Sequence, residues 1–153
     1  MDTELVELLL IEDNHHEAEL TMRNLKKSKL ANNMLHIDDG KEALDFMFNE
    51  GQYSYNKGKV FNPKLILLDL KLPKMSGIDI LRKIKKDPRT QNIPVVILTS
   101  SNEVPDIDAC YNEGANSYIV KPVNFSDFSK IIGDLGMYWI LTNKHPNQPN
   151  VQM

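Results

Sequence analysis

The residue with the clearest potential for chemistry is Asp69, which follows the apolar segment LILL at residues 65–68. The segment LPKMSG comes soon after it and contains the turn formers proline, serine and glycine. A short apolar run bounded by turn residues is typical of a buried parallel strand. The carboxyl ends of such strands carry the functional sites of open α/β folds. The sequence therefore predicts a functional carboxylate at position 69.

Four further polar residues stand at the ends of other apolar segments. They are Glu12 and Asp13 after residues 5–11, Thr99 after residues 94–98, and Lys121 after residues 117–120. Because the carboxyl ends of parallel strands meet at one edge of a sheet, we expect these side chains to converge with Asp69. A single acid at a strand end is often only a helix or turn cap. The combination of four such strand ends is a specific signal.

The predicted cluster suits the chemistry of a divalent cation and a phosphoryl group. Carboxylates held within a few ångströms repel one another unless a cation joins them. Asp13 and Asp69, with Glu12 directly or through water, would bind Mg²⁺, which keeps several waters and needs few protein carboxylates. Asp69 could then attack a phosphoryl group in line, while Lys121 and Thr99 share the charge on its oxygens. The expected product is an aspartyl phosphate, which forms and hydrolyses readily.

Short apolar segments alternate with segments of helical period along the chain. Strands are predicted at residues 5–11, 33–37, 65–68, 94–98 and 117–120, and helices at residues 15–28, 41–48, about 78–84, 104–113 and from 125 onward. Asn14 and Glu17 predict a capping box at the start of the first helix. Five βα units in series predict an α/β fold with one doubly wound parallel sheet of five strands in the order 2-1-3-4-5.

Two segments exceed what this fold requires. Residues 51–63 form a polar loop with two tyrosines, longer than most connections in such units, which could contact a partner or pack on the domain. The last helix is predicted to extend through residues 137–141 (MYWIL). We expect one domain over residues 1–143 and a disordered tail over residues 144–153.

Composition argues against several classes of function. A net charge of −3 gives the chain no general attraction to nucleic acid or to anionic membranes. No apolar stretch approaches the roughly 20 residues that span a bilayer, and the N-terminus lacks the pattern of a signal peptide. The single cysteine, Cys110, excludes an internal disulfide and fits a reducing compartment. These features predict a cytoplasmic protein without nucleic-acid or membrane partners.

Four motifs carry a resemblance to a known family. They are LLIEDN with the acidic pair, LILLDLKLPKMSG around Asp69, VVILTS with Thr99 and YIVKP with Lys121. In their order and spacing, over roughly residues 5–130, the chain resembles the receiver domain of two-component response regulators. The resemblance implies a phosphoryl group received from a sensor histidine kinase or a phosphotransfer protein. It also implies a switch of protein–protein interactions rather than an enzyme with a separate substrate.

The resemblance implies roles for the acidic residues. Asp69 resembles the phosphoacceptor, and Glu12 and Asp13 resemble the acid pair that organises Mg²⁺. The backbone carbonyl of Lys71 would be a further metal ligand. The family more commonly has two aspartates in the pair, so direct contact between Glu12 and the metal stays open.

The resemblance also implies roles on the last two strands. Thr99 resembles the switch hydroxyl that moves toward the phosphoryl group, and Tyr118 matches the aromatic switch position. Lys121 resembles the lysine that pairs with the phosphoryl group, and a cis peptide bond is expected between Lys121 and Pro122.

The long loop and the extended last helix resemble those of the small stand-alone regulators paired with bacterial phytochrome kinases. Residues 138–141 (YWIL) offer more apolar surface than a helix at the end of a domain easily buries. We therefore expect a homodimer through the C-terminal helix.

Two other functions remain open from the residues. A Mg²⁺-dependent phosphohydrolase also uses an aspartyl nucleophile, but that class places a second aspartate two residues later, where this chain has Lys71. A receiver-like module that binds partners without phosphorylation would be expected to lack Asp69, Asp13 or Lys121, and all three are present.

Overall fold

The computed structural model describes residues 1–28 and 33–146. Within these ranges five parallel strands form one sheet. They are β1 (Leu8–Ile11), β2 (Met34–Ile37), β3 (Leu65–Leu68), β4 (Val95–Thr99) and β5 (Ser117–Val120). The order β2-β1-β3-β4-β5 confirms the predicted topology. β1 begins three residues later than predicted, because Thr3–Leu5 form a 3₁₀ turn that the Asp2 side chain caps.

Helices connect the strands and cover both faces of the sheet. They are α1 (His15–Lys27), α2 (Gly40–Met47), α3 (Gly77–Lys86), α4 (Val104–Asn112) and α5 (Phe125–Gly136). Side chains of Asn14, Asp39, Ser76 and Asn124 each accept the backbone N–H three residues on, so four helices begin where a polar cap satisfies a free donor.

Alternate residues of the strands build two separate cores. Odd positions of β1 and even positions of β3 pack with α2, α3 and α4, and the intervening positions pack with α1 and α5. β1, β3 and β4 are buried on both faces, which is why they read as continuous apolar runs rather than as alternating patterns. The polar residues that follow these strands are thereby fixed at one edge of the sheet.

The loop over residues 51–63 packs on the domain. It contains a 3₁₀ helix, Gly51–Asn56. The Tyr53 hydroxyl donates to Glu42 Oε2 at 2.7 Å, and the rings of Tyr53 and Phe61 lie edge-on to Phe46 at 5.1 and 5.6 Å. Tyr55 stays exposed. Most of the aromatic surface in this loop therefore fastens it to α2.

The last helix extends beyond α5 as predicted, but its final segment, Met137–Thr142, is a π-helix. The Thr142 hydroxyl donates to the Met137 carbonyl at 3.1 Å, and Asn143 N–H donates to the Tyr138 carbonyl at 2.7 Å. The backbone bond from Asn143 to Tyr138 spans the five residues that define a π-helix, and the Thr142 side chain adds a further bond to the first carbonyl of the segment. From residue 147 onward the predicted disordered tail lies outside the described residues.

Gly77 allows α3 to begin against the backbone that follows β3. A Cβ at this position would lie 2.4 Å from the Asp69 carbonyl oxygen and 2.6 Å from the Leu70 Cα. The Gly77 N–H donates to the Leu70 carbonyl at 2.9 Å. Only glycine lets the helix start and the segment carrying Asp69 approach this closely.

We expect Gly77→Ala to lower the free energy of unfolding by about 1–3 kcal/mol, because backbone must move to admit the methyl group. Gly133→Ala is the matched control. Gly133 lies inside α5, and an added Cβ would meet no described atom within 4 Å beyond its chain neighbours and the adjacent backbone of its own helix, so alanine should raise the free energy of unfolding by about 0.5–1 kcal/mol. Urea unfolding measures both variants. A Gly77→Ala protein as stable as the wild type would contradict the close approach.

Across the described ranges, no helix combines the length and the apolar character needed to cross a membrane.

Candidate functional site

The carboxylates predicted at the strand ends lie together. Glu12 N–H donates to the Ile37 carbonyl and Asp69 N–H donates to the Ile11 carbonyl, at 3.1 and 3.0 Å, so both residues continue the sheet ladder by one step. Oxygens of Glu12, Asp13 and Asp69 all lie within 4.8 Å of one another. Glu12 and Asp69 are buried, whereas Asp13 is exposed. The cluster is therefore shielded from solvent at Glu12 and Asp69 and open to solvent at Asp13.

Lys121 supplies the positive charge of this cluster. Its Nζ lies 2.7 Å from Glu12 Oε1, 2.8 Å from Asp69 Oδ2 and 2.6 Å from Glu17 Oε1. Only 7% of its side chain is exposed. The Lys121 N–H donates to the Thr99 carbonyl at 2.6 Å, which places the end of β5 beside the end of β4. An ammonium group has three protons to donate, and all three point to carboxylates here.

Burial and the ammonium group act in opposite directions on the two buried acids. Burial raises the pKa of Glu12 to about 8, and the hydrogen bond from Lys121 offsets only part of that effect. Burial also acts to raise the pKa of Asp69, but the hydrogen bond and the charge of Lys121 outweigh it, so this pKa falls below its ordinary value. Burial disfavours the Lys121 ammonium, yet its bonds to Asp69, Glu12 and Glu17 raise the pKa of Lys121. Asp69 is therefore an ionised carboxylate paired with a cation at neutral pH.

The donor set fits a hard divalent cation. It offers carboxylate oxygens on three residues, and the exposed position of Asp13 leaves room for water on the solvent side. Oxygen ligands with several retained waters are what Mg²⁺ prefers. The Lys71 N–H donates to Asp69 Oδ1 at 3.2 Å, so the backbone at Lys71 also borders the cluster. Glu12 would need to release its proton and one contact with Lys121 to bind a metal directly.

The two predicted switch residues meet at the loop between β4 and α4. Thr99 is fully buried, and its hydroxyl oxygen lies 3.5 Å from the Ser101 N–H. The Tyr118 hydroxyl donates to the Ser101 carbonyl at 2.8 Å. Ser101 itself donates through its hydroxyl to Asp106 on α4 at 2.5 Å. A shift of Thr99 would therefore reach both Tyr118 and α4 through one residue, Ser101.

The prediction of a cis peptide bond between Lys121 and Pro122 is wrong, since the described residues contain no cis peptide bond. Trans is the more stable form of most such bonds, by about 0.5–1 kcal/mol. Lys121 reaches Asp69 with the bond in this form.

Glu17 also belongs to the site, although the sequence does not predict this role. Its spacing from Asn14 predicts a capping box, and its N–H does donate to Asn14 Oδ1 at 3.0 Å. Its carboxylate, however, contacts Lys121 instead of the Asn14 N–H, which donates to Glu12 Oε2 at 3.1 Å. The capping pattern already explained an acid at this position, so no sequence signal distinguished the second role.

A doubly wound sheet with an acidic cluster, a buried threonine and a lysine at its carboxyl edge defines the receiver class of signalling domain. Residues 8–133 match the family model described as the response regulator receiver domain. The chain belongs to this family and is a response regulator of the two-component type.

Similar proteins include two cyanobacterial regulators, one of which is described as a phytochrome response regulator. Response regulator Rcp1 of Synechocystis is 35% identical over 135 residues, which cover 88% of this chain and 89% of Rcp1. The crystal structure of the Mn²⁺-bound form of Rcp1 has a TM-score of 0.83 at 34% identity, covering 91% of this chain and 97% of that one. The crystal structure of the phosphorylated cyanobacterial phytochrome response regulator RcpA has a TM-score of 0.84 at 36% identity, covering 92% and 97%. The predicted likeness to phytochrome-type regulators is confirmed.

Proposed function

We propose that Asp69 accepts a phosphoryl group from a sensor histidine kinase or a phosphotransfer protein, and that this modification switches protein–protein contacts. The observation that carries the proposal is the pairing of a buried, ionised Asp69 with Lys121 at 2.8 Å, beside two further acids. Incubation with acetyl phosphate and Mg²⁺, followed by intact-mass measurement, tests it.

The transfer uses the carboxylate of Asp69 as the nucleophile. An Asp69 oxygen forms a bond to phosphorus as the bond from phosphorus to the donor's histidine nitrogen breaks, and the electron pair of that bond stays on the nitrogen. The low pKa of Asp69 keeps the nucleophile ionised. The Lys121 ammonium offsets the charge of the phosphoryl oxygens, and the Thr99 hydroxyl donates to one of them.

A bound Mg²⁺ would be held by Asp13 and Asp69, with Glu12 and the Lys71 carbonyl as further ligands, and would neutralise charge on the phosphoryl oxygens. The Mn²⁺-bound form of Rcp1 supports a divalent cation at this site. Hydrolysis of the aspartyl phosphate returns the protein to its starting state. This turnover of its own phosphoryl group is the chemistry we assign to the chain, rather than hydrolysis of a separate phosphate ester. At the position where a phosphohydrolase needs a second aspartate, this chain has Lys71.

The switch runs from Thr99 through Ser101 to Tyr118. Phosphorylation can change the affinity of a distant surface only if it biases an element with two arrangements. Thr99 drawn toward the phosphoryl group would shift Ser101, whose carbonyl holds the Tyr118 hydroxyl. The α4 helix would respond through the bond from Ser101 to Asp106. The surface formed by α4, β5 and α5 is then the output of the switch.

The partner is a histidine kinase of the phytochrome type. The likeness to Rcp1 and to RcpA, which is described as a phytochrome response regulator, supports this assignment. We assign residues 1–143 to a single receiver unit and place the protein in the cytoplasm. The net charge of −3 gives no reason to add nucleic acid or a membrane to its partners.

The C-terminal helix supports a homodimer. Its π-helical end exposes Met137, Tyr138 and Leu141, whereas Ile140 is buried and Trp139 packs against the core. Three large apolar side chains exposed on one short segment form a patch that a second copy of the chain would cover.

We expect Leu141→Glu to convert a dimeric wild type to a monomer at tens of micromolar, because a charge would be buried at the interface. Sedimentation velocity with and without acetyl phosphate measures the change. Val123→Glu is the matched control, since Val123 is a fully exposed aliphatic residue outside this helix. A wild type that stays monomeric in both states, or a Leu141→Glu protein that still dimerises, would refute the interface.

A further inference from the structure

Lys121 has a third carboxylate partner that does not belong to the cluster at the strand ends. Glu17 lies in the first turn of α1, and its Oε1 is 2.6 Å from the Lys121 Nζ. This contact is at least as short as those of Lys121 with Glu12 and Asp69. Glu17 is the accessible member, with 35% of its side chain exposed. The ammonium therefore shares its charge among two buried acids and one acid that water reaches.

The start of α1 is arranged so that the Glu17 carboxylate is free for this contact. In a capping box this side chain would accept the N–H of Asn14. Here Glu12 Oε2 accepts that N–H, while Asn14 still caps the Glu17 N–H. The helix thus keeps its cap without using the Glu17 carboxylate. The contact with Lys121 is then a feature of the site rather than a by-product of helix capping.

We propose that Glu17 is a positioning residue that competes with the phosphoryl group for Lys121 and so weakens the hold of the site on that group. The proposal rests on the proposed function of Asp69 as phosphoacceptor. Phosphorylation replaces one carboxylate charge at Asp69 with about −1.5 to −2 charges on the phosphoryl group. The single ammonium of Lys121 must offset these charges. Each carboxylate that also pairs with this ammonium weakens its interaction with the phosphoryl group.

Loss of Glu17 would not leave Lys121 without orientation. Glu12 holds the same ammonium at 2.7 Å from a buried position, and the Lys121 backbone is fixed to Thr99. Glu17 therefore has two opposite effects on the phosphorylated state, and the unfavourable effect is the larger. Its contribution to orientation is duplicated by Glu12, whereas its negative charge beside the phosphoryl site is an added cost. Removal of the charge should favour the phosphorylated state.

The test measures binding of beryllofluoride, which mimics a phosphoryl group on a carboxylate, at a fixed Mg²⁺ concentration by ¹⁹F NMR. We expect Glu17→Gln to bind about tenfold more tightly than the wild type, the size of one charge-assisted hydrogen bond. The cap is kept, because it consists of the bond from the backbone N–H at position 17 to Asn14 Oδ1 and does not use the side chain of Glu17. Glu19→Gln is the matched control, because Glu19 is an exposed acid on the same helix that pairs with Arg23.

Two further variants separate positioning from a general effect of charge or of helix stability. Glu17→Asp keeps the charge but withdraws the carboxylate from Lys121, so its affinity should also rise. In a Lys121→Gln background, Glu17→Gln should lose most of its effect, since the two residues act through one contact. Equal affinities of wild type and Glu17→Gln, or an undiminished effect without Lys121, would overturn the proposal. If the wild type binds no beryllofluoride, or if Asp69→Asn binds it equally well, the phosphoacceptor assignment fails, and this inference with it.

Discussion

Asp69→Asn should abolish uptake of a phosphoryl group from acetyl phosphate. The wild type, incubated with Mg²⁺, should gain the mass of one phosphoryl group, and the variant should gain none. The amide lacks the nucleophilic charge that Lys121 stabilises on Asp69 in the folded protein. Asparagine is close in size to aspartate, so the packing of this buried position changes little.

The control for this experiment is Asp108→Asn, which removes an exposed carboxylate from α4. It should be labelled to the same extent as the wild type. Chelation of Mg²⁺ should suppress labelling of both proteins. Equal labelling of wild type and Asp69→Asn would show that another residue accepts the phosphoryl group and would contradict the assignment of Asp69 as the phosphoacceptor.

The second large effect concerns the metal and the stability of the protein. The charges of Asp13 and Asp69 lie within 4.8 Å of each other beside the buried Glu12, and one ammonium, which also pairs with Glu17, offsets only part of that charge. Mg²⁺ binds the native state, so at a hundredfold excess over its dissociation constant it should add about 2.7 kcal/mol to the free energy of unfolding. Asp13→Ala should raise the stability of the metal-free protein and remove most of the response to Mg²⁺.

Thermal unfolding in EDTA and in Mg²⁺ measures both effects of Asp13→Ala. Asp13 is exposed, so its truncation leaves no cavity in the core. Asp108→Ala, which removes an acid of similar exposure far along the chain, should keep the full response to the metal. An Asp13→Ala protein that retains the whole Mg²⁺ effect would show that the metal binds elsewhere.

The stabilisation of the protein by Mg²⁺ should depend on pH. The pKa of Glu12, raised to about 8 by burial, means that Glu12 holds a proton at neutral pH in the metal-free protein. A cation and this proton compete for the cluster, so the affinity for Mg²⁺ should rise with pH until about pH 8 and then level off. In Glu12→Gln the rise over this range should be smaller.

Most of the fold can be predicted from the sequence, because most strands are short apolar runs with polar residues at their ends. The predicted bounds of two strands, Leu65–Leu68 and Ser117–Val120, agree with the structure at both ends, because polar residues flank both apolar runs. The predicted start of β1 is too early, because Leu5 and Val6 are apolar, whereas Leu5 ends a 3₁₀ turn that depends on a cap from Asp2. The π-helical form of Met137–Thr142 has no counterpart in the sequence pattern, which indicates only that the helix continues.

The sequence also predicts which residues the carboxyl edge brings together, but not how charge is shared among them. That Asp13, Asp69 and Lys121 lie close follows from strand order alone. That Lys121 contacts Glu17 as well depends on the side-chain direction at the start of α1, where Glu12 takes over the Asn14 N–H. Contacts of this kind depend on packing between distant elements and carry no periodic signal.

The most direct test of the central assignment is to locate the modified residue. After reaction with acetyl phosphate and Mg²⁺, borohydride reduces an aspartyl phosphate to homoserine, and peptide mass spectrometry then reads the position of that change. We expect homoserine at position 69 and unchanged aspartate at position 13. Homoserine at another position, with position 69 unmodified, would contradict the role assigned to Asp69.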